Sequence, residues 1–432
     1  MDPYIRLEEQ SMDEQLVEAL EDRTVDTRGE RPVFISSTNL FVYIKGSITR
    51  CTALTKGNAF LLLCNAFKDS LRKYSLILNG KLPQPHVVST TAVVGGLSIP
   101  GSFGNKQDAN QGSSYRLPKG EEVTVCHVIS TCEYCADTVE ALEELIRDTI
   151  DEKYRSKIDL MREQETFHDI TAKAIRVLVS GLTNRVEHAL KSMMVTNWAT
   201  WPAVGEESSY VAIVQEEIGP FVRKVRSLLP TSYFRSFCDK FATSFSELYY
   251  DSLIKLKKIN EAGSQQLQLD VSILKTFMLK LPVLEEPARF GQKPVTTGST
   301  IAPAMYTKMV QKQLGRIEVL LKLVGTPLDM LITNFKGLWI GGTTADFQTV
   351  LALKGLKRNE QATMLEKFGV DPVSALKGAT VGVTSATIVS EHVQLLQDQG
   401  STVAAKVNSD LNQMRQKVDD FRKTFRTSSN LG

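Results

Sequence analysis

The stretch Phe60-Leu-Leu-Leu-Cys64-Asn-Ala-Phe67-Lys-Asp-Ser-Leu71-Arg-Lys-Tyr74-Ser-Leu-Ile-Leu78 decides the fold class. Phe60, Cys64, Phe67, Leu71, Tyr74 and Leu78 recur in alternating steps of four and three, which lines them along one face of an α-helix. The segment before it repeats the pattern with Phe41, Ile44, Ile48, Cys51 and Leu54, and Lys56-Gly57 separates the two. So short a connection predicts an antiparallel helical hairpin.

The same periodicity continues along the chain. Helices are predicted over about 123–153, 158–198, 209–229, 231–258 and 264–281, then a stripe of Met305, Met309, Ile317, Leu321 and Val324 ended by Gly325-Thr326-Pro327. Shorter helices are predicted over 328–339, 344–353 and 359–368. Val123, Val125, His127 and Ile129 alternate as a strand would, but with no partner strand in view they read as the start of a helix. Pro, Gly, Ser, Thr, Asn and Gln crowd residues 81–120 and mark a long flexible loop. Pro287–Pro303 reads as a second loose linker. The expected organisation is an acidic segment over 1–31, a helical bundle over 32–200 carrying the 81–120 insertion, and a second bundle over 205–369. A small-residue linker and amphipathic helix follow over 370–432, with Trp201-Pro202 to Ser208 as the boundary between bundles and Ser208 or Ser209 as the cap of the next helix. In the last segment Val403, Val407, Leu411, Met414, Val418, Phe421 and Phe425 are spaced 4, 4, 3, 4, 3 and 4. One helix cannot bury such a heptad seam alone, so it predicts a coiled-coil partner.

A chain of 432 residues with 42% hydrophobic and 23% charged residues is an ordinary globular composition. Its formal charge of +2 lacks the basic excess of a nucleic-acid binder. The first thirty residues are acidic and read as solvated surface, and the last thirty lean basic. The apolar run Phe60–Cys64 is far short of the ~20 residues that cross a bilayer. Six cysteines without a dense framework fit free buried thiols in a reducing cytosol.

Candidate chemistry is sparse. Cys132-Glu-Tyr-Cys135, with His127 nearby, has the spacing of a metal or redox pair, and Glu165-Thr-Phe-His168 has the Glu-x-x-His spacing of di-iron bundles. Each occurs once. A tetrahedral zinc needs four ligands and a di-iron centre two such motifs, so packed thiols and a polar helix face are the preferred readings. A metal-binding protein or metalloenzyme using Cys132, Cys135, Glu165 and His168 stands as the alternative. No phosphate-loop, nucleophile-elbow or zinc-protease motif occurs, so no catalytic, cofactor-binding or metal residue and no cofactor is expected. The most distinctive short segment is Lys354-Gly-Leu-Lys357-Arg358-Asn-Glu-Gln361, where Asn359 could cap a helix and leave Lys354, Lys357 and Arg358 on a corner facing a partner or membrane.

Five stretches carry a resemblance: Pro32-Val-Phe-Ile-Ser-Ser-Thr-Asn-Leu-Phe41, Ser130-Thr-Cys-Glu-Tyr-Cys-Ala-Asp-Thr138, Glu165-Thr-Phe-His-Asp169, Ala304-Met-Tyr-Thr-Lys-Met-Val310 and Leu353-Lys-Gly-Leu-Lys-Arg-Asn-Glu-Gln-Ala-Thr-Met-Leu-Glu366. Together they resemble the C-terminal half of the vacuolar protein sorting fifty-three family, over roughly residues 32–368. The resemblance implies an all-α protein of stacked helical bundles forming an elongated rod, of the tethering-complex (CATCHR) type. It implies a non-enzymatic subunit of the Golgi-associated retrograde protein tether and its endosomal relative, cytosolic and peripheral on trans-Golgi network and endosome membranes. Implied partners are sister subunits, vesicle or Golgi membrane proteins and, as a further class, lipids; nucleic acid is not among them. The family's N-terminal half, which supplies coiled coils for assembly, has no counterpart in these residues, so a partial or shortened chain is expected. The 81–120 insertion and the heptad tail have no match in the family pattern.

Overall fold

The computed structural model describes residues 2–29, 31–84, 117–284 and 301–369. Met1–Gln361 forms one compact unit and Ala362–Gly432 a second. The 81–120 insertion and the second linker, each for the most part, and the heptad seam from Val403 to Phe425 lie outside the described residues.

Among the described residues the fold is all-α, as expected. The one β element is a two-residue antiparallel ladder, Val25 and Asp26 opposite Phe34 and Val33. The first helix, α1 (Asp2–Glu21), occupies the acidic segment read above as solvated surface. Ile5, Met12, Leu16 and Ala19 are buried, a spacing of 7, 4 and 3 that the intervening carboxylates obscure. They pack on α2 (Ile35–Thr52) and α3 (Asn58–Gly80).

The stripe of α3 is buried as expected, Phe60, Phe67, Leu71, Tyr74 and Leu78 completely. That of α2 holds through Cys51, but Leu54 falls beyond the helix end and is 68% exposed. α2 and α3 follow one another across the short turn 53–57, and each packs more extensively on α1 than on the other. Lys81 closes this region by donating to Ala19 O (3.2 Å) and Asp22 O (2.6 Å), which satisfies carbonyls left open where α1 ends.

The longest contact in the unit joins α4 (Glu121–Thr149) to α5 (Met161–Val195). Val123–Ile129 is helical, as read. α5 also carries α6 (Ser209–Leu228) and α7 (Thr231–Ile254). α7 holds an aromatic spine in which Phe234, Phe237, Phe241, Phe245 and Tyr249 follow at ring spacings of 6.1–6.3 Å, all buried. Each ring removed from water contributes about 1.5–3 kcal/mol, so this face anchors the middle of the unit.

The stretch 201–208 between α5 and α6 is tied down along α8 (Glu261–Leu279). Asn260 Nδ2 donates to Trp201 O (2.9 Å), Gly205 N to Gln266 Oε1 (2.9 Å), Gln266 Nε2 to Glu206 O (2.7 Å) and Ser208 N to Asp270 Oδ1 (3.0 Å). Ser208 occupies the N-cap position of α6 without its hydroxyl capping the helix.

α8 lies along α9 (Ala304–Gly325). The apolar stripe expected on α9 holds at Ile317, Leu321 and Val324 but not at its start: Met305 is 79% exposed, and Tyr306, Val310 and Leu314 face inward with those three. Steps of 4, 4, 3, 4 and 3 fit one helical face better than the eight-residue gap between Met309 and Ile317 does. Short helices α10 (Leu328–Leu338) and α11 (Thr344–Leu353) pack on α9, and α12 (Arg358–Phe368) follows. No described helix is long and apolar enough to cross a membrane.

Candidate functional site: a basic corner at three helix junctions

Three chain junctions converge where α7, α9 and α11 end. The first is the α7–α8 connection, Lys255-Leu-Lys257-Lys258-Ile-Asn260. Its Leu256 and Ile259 are buried, and Ile259 N donates to Leu353 O at the end of α11 (2.8 Å). Asn260 turns the chain into α8 by accepting a bond from Gly263 N (2.7 Å), an N-cap of the usual kind. The second is the α9–α10 connection, Gly325-Thr326-Pro327. It is held to α8 by the Ser264 hydroxyl, which donates to Leu321 O.

The third is Lys354-Gly355-Leu356-Lys357. Gly355 is left-handed, φ +74°, which allows α11 to stop and the chain to reverse. The Lys258 side chain lies across it so closely that a Cβ there would come within 2.7 Å of Lys258 Cγ and Cδ. The Glu360 carboxylate accepts from Lys357 N (2.7 Å), the reach-back half of a capping box. Lys357 is thereby the capping position of α12. Asn359, expected to cap, lies inside the first turn because Glu360 already serves the open amide.

Lys354, Lys357 and Arg358 therefore share a corner but differ in role. Lys357 and Arg358 are exposed. Lys354 is half-buried, and its Nζ donates to Val324 O and Thr326 O, both at 2.6 Å. It thus fastens the α11–α12 turn to the carbonyls at the end of α9. Burial lowers the Lys354 pKa from its ordinary value, with Glu261 opposing the shift. Lys255, Lys257 and Lys258 are exposed beside them, as is Lys322 in the last turn of α9. None of the ion pairs among the described residues uses Lys255, Lys257, Lys258, Lys322, Lys357 or Arg358. The Lys-x-Lys-Lys run at 255–258 is the sequence signal for the half of the corner that motif reading passed over.

The candidate metal residues are not gathered. Cys132 and Cys135 are buried in the α4 interface, and burial pushes both thiols far above their ordinary pKa. Glu165 and His168 are exposed on α5. His127 packs edge-on to Phe34 at 6.1 Å, and burial lowers its pKa, with Lys224 adding to the shift. No group of three or more His, Cys, Asp or Glu among the described residues could hold a metal ion.

Comparison with known proteins agrees with this architecture. The exocyst complex component Sec6 family model matches residues 72–293, and the vacuolar protein sorting-associated protein 53 C-terminus model matches residues 265–356. The chain superposes on the crystal structure of the C-terminal domain of the exocyst subunit Sec6p with a TM-score of 0.55 and 10% identity, over 89% of this chain and 93% of that one. By fold, then, it is a helical-bundle protein of the exocyst Sec6 class.

Vacuolar protein sorting-associated protein 53 A of Arabidopsis thaliana is 29% identical over 368 residues, 85% of this chain and 41% of that protein. The Caenorhabditis elegans homolog is 30% identical over 295 residues, 64% of this chain and 35% of that one. These matches support a place for the chain in the vacuolar protein sorting-associated protein 53 family. The chain spans roughly two fifths of the length of these relatives.

Proposed function

We propose that this chain is a non-enzymatic subunit of a vesicle-tethering complex, working in retrograde transport from endosomes to the trans-Golgi network as a peripheral protein of those membranes. The observation that carries this reading is the family match over 85% of the chain, on a fold shared with an exocyst subunit. Stacked helices joined by tied junctions transmit position rather than chemistry: they hold surfaces at fixed separations. In this reading the corner at Lys257, Lys357 and Arg358 is the surface offered to the captured membrane or its proteins. The heptad seam Val403, Val407, Leu411, Met414, Val418, Phe421 and Phe425 supplies a coiled-coil contact to a sister subunit, on the strength of its spacing.

The test is affinity capture of the tagged full chain from cells, with quantitative identification of the co-purifying proteins. Sister subunits of the tether are expected at near-equal amounts and lost from a Leu411→Asp variant. Their absence from the wild-type capture refutes the proposal.

A further inference from the structure

We propose that the corner built from the α7–α8, α9–α10 and α11–α12 junctions is a binding surface for anionic lipid headgroups, with apolar side chains that enter the interfacial layer. The inference rests on the tether reading and deepens it by naming the ligand class.

Three observations carry it. The first is charge: Lys255, Lys257, Lys258, Lys322, Lys357 and Arg358 are exposed around one meeting point, against the carboxylates Glu261, Asp329 and Glu360 in the same junctions. One of those three, Glu360, is occupied by the Lys357 backbone amide. The whole chain carries only +2, so the local excess is a feature of this corner rather than of the composition. The second is apolar exposure within the same junctions. Ile254, which precedes Lys255, is 37% exposed; Leu328 and Met330, two and four residues beyond the Thr326 carbonyl that Lys354 holds, are 45% and 57% exposed. Cations flanking protruding Leu, Met and Ile suit an interface whose outer layer is anionic and whose inner layer is hydrocarbon.

The third is the kind of cation. Five of the six are lysines. A compact ammonium on a flexible stem matches headgroup phosphates of variable position, whereas an acidic peptide held in register is the task for bidentate arginine. The corner is also stiff. Lys354 ties α11 to α9, Ile259 ties α8's entry to α11, and Lys258 covers Gly355, so the cations are presented without the ordering cost of a loose loop.

The purified full chain should sediment with vesicles of phosphatidylcholine mixed with phosphatidylserine and stay in solution with vesicles of phosphatidylcholine alone. Partitioning should fall as salt is raised. Each surface cation near an anionic membrane changes partitioning by about fivefold, so Lys257→Glu/Lys357→Glu/Arg358→Glu should weaken it by well over tenfold while helicity and melting temperature hold. Leu328→Ser/Met330→Ser should weaken it several-fold and leave the remainder more salt-sensitive. Equal sedimentation with both vesicle types, or undiminished binding by the charge-reversed variant, overturns the proposal. So does retention of a poly-glutamate peptide without binding to the anionic vesicles, which assigns the corner to an acidic protein. Capture of sister subunits by a chain that ignores anionic vesicles defeats this inference alone; vesicle binding without such capture defeats the tether reading alone.

Discussion

Replacing Glu8 by Gln tests whether the acidic first helix is part of the folded unit. Glu8 is 4% exposed in the contact of α1 with α2. Its carboxylate accepts from Arg50 Nε (2.9 Å), Arg50 Nη2 (2.7 Å) and the Tyr43 hydroxyl (2.7 Å). Burial by itself pushes the Glu8 carboxyl up, but the hydrogen bonds from Arg50 and Tyr43 outweigh it and hold its pKa at about 2, against 4.5 ordinarily. A depressed folded-state pKa means stability that is fully present above the unfolded value and lost as pH falls through the folded one. The drop corresponds to a ceiling of roughly 3 kcal/mol at neutral pH, reduced to about 2 kcal/mol because Arg50 is half exposed and its charge is screened by water. Glu8→Gln keeps the volume and removes the charge. Urea unfolding followed by circular dichroism should show the variant about 2 kcal/mol less stable at pH 7. The gap should narrow steadily between pH 4.5 and about 2 as the wild-type carboxylate is protonated. Asp22 and Asp346 also titrate low, but they do so in both proteins, so the difference isolates Glu8. A gap below about 0.5 kcal/mol, or one that does not change with pH, refutes the reasoning.

Three further outcomes follow from the geometry. Lys354→Met keeps the stem but leaves the Val324 and Thr326 carbonyls without their donor, and should cost about 1–3 kcal/mol in urea unfolding. Gly355→Ala should cost at least about 1–2 kcal/mol, since φ is +74° and the new methyl meets the Lys258 stem; an unchanged unfolding midpoint contradicts the turn geometry. Cys126, Cys132, Cys135 and Cys238 are buried and burial raises their thiol pKa, so none should take up iodoacetamide at neutral pH until denaturant is added, as read by intact mass.

Most helices were legible because a buried helical face imposes a period, and α3, α4, α6 and α11 begin or end within a residue or two of where the apolar pattern and its Gly and Pro punctuation put them. Where the reading slipped, the period was masked or mis-phased. In α1 the buried positions are interleaved with carboxylates, and one of those, Glu8, is itself buried because Arg50 arrives from another helix. In α9 Met305 and Met309 look as apolar as Tyr306 and Val310, and only the helices packed around it, α8 above all, decide which set faces inward.

The corner was legible only by halves, for a related reason. Lys354-Gly-Leu-Lys357-Arg358 stands out as a short basic run, but a run cannot say which of its cations point to water. Lys354 is spent on two carbonyls thirty and twenty-eight residues earlier in the chain, and that bond exists because α9 ends with open acceptors beside the end of α11. Lys257 and Lys258 lie about a hundred residues from Lys357, and nothing in local periodicity pairs the two junctions. The pairing comes from Ile259, whose side chain is buried and whose amide reaches Leu353, so an apolar residue between lysines sets where the lysines gather. Charge at this corner is thus a by-product of packing at the helix ends. Substituting Ile259 should therefore disperse the cations without removing one, whereas Lys257→Glu should change the charge and leave the packing intact.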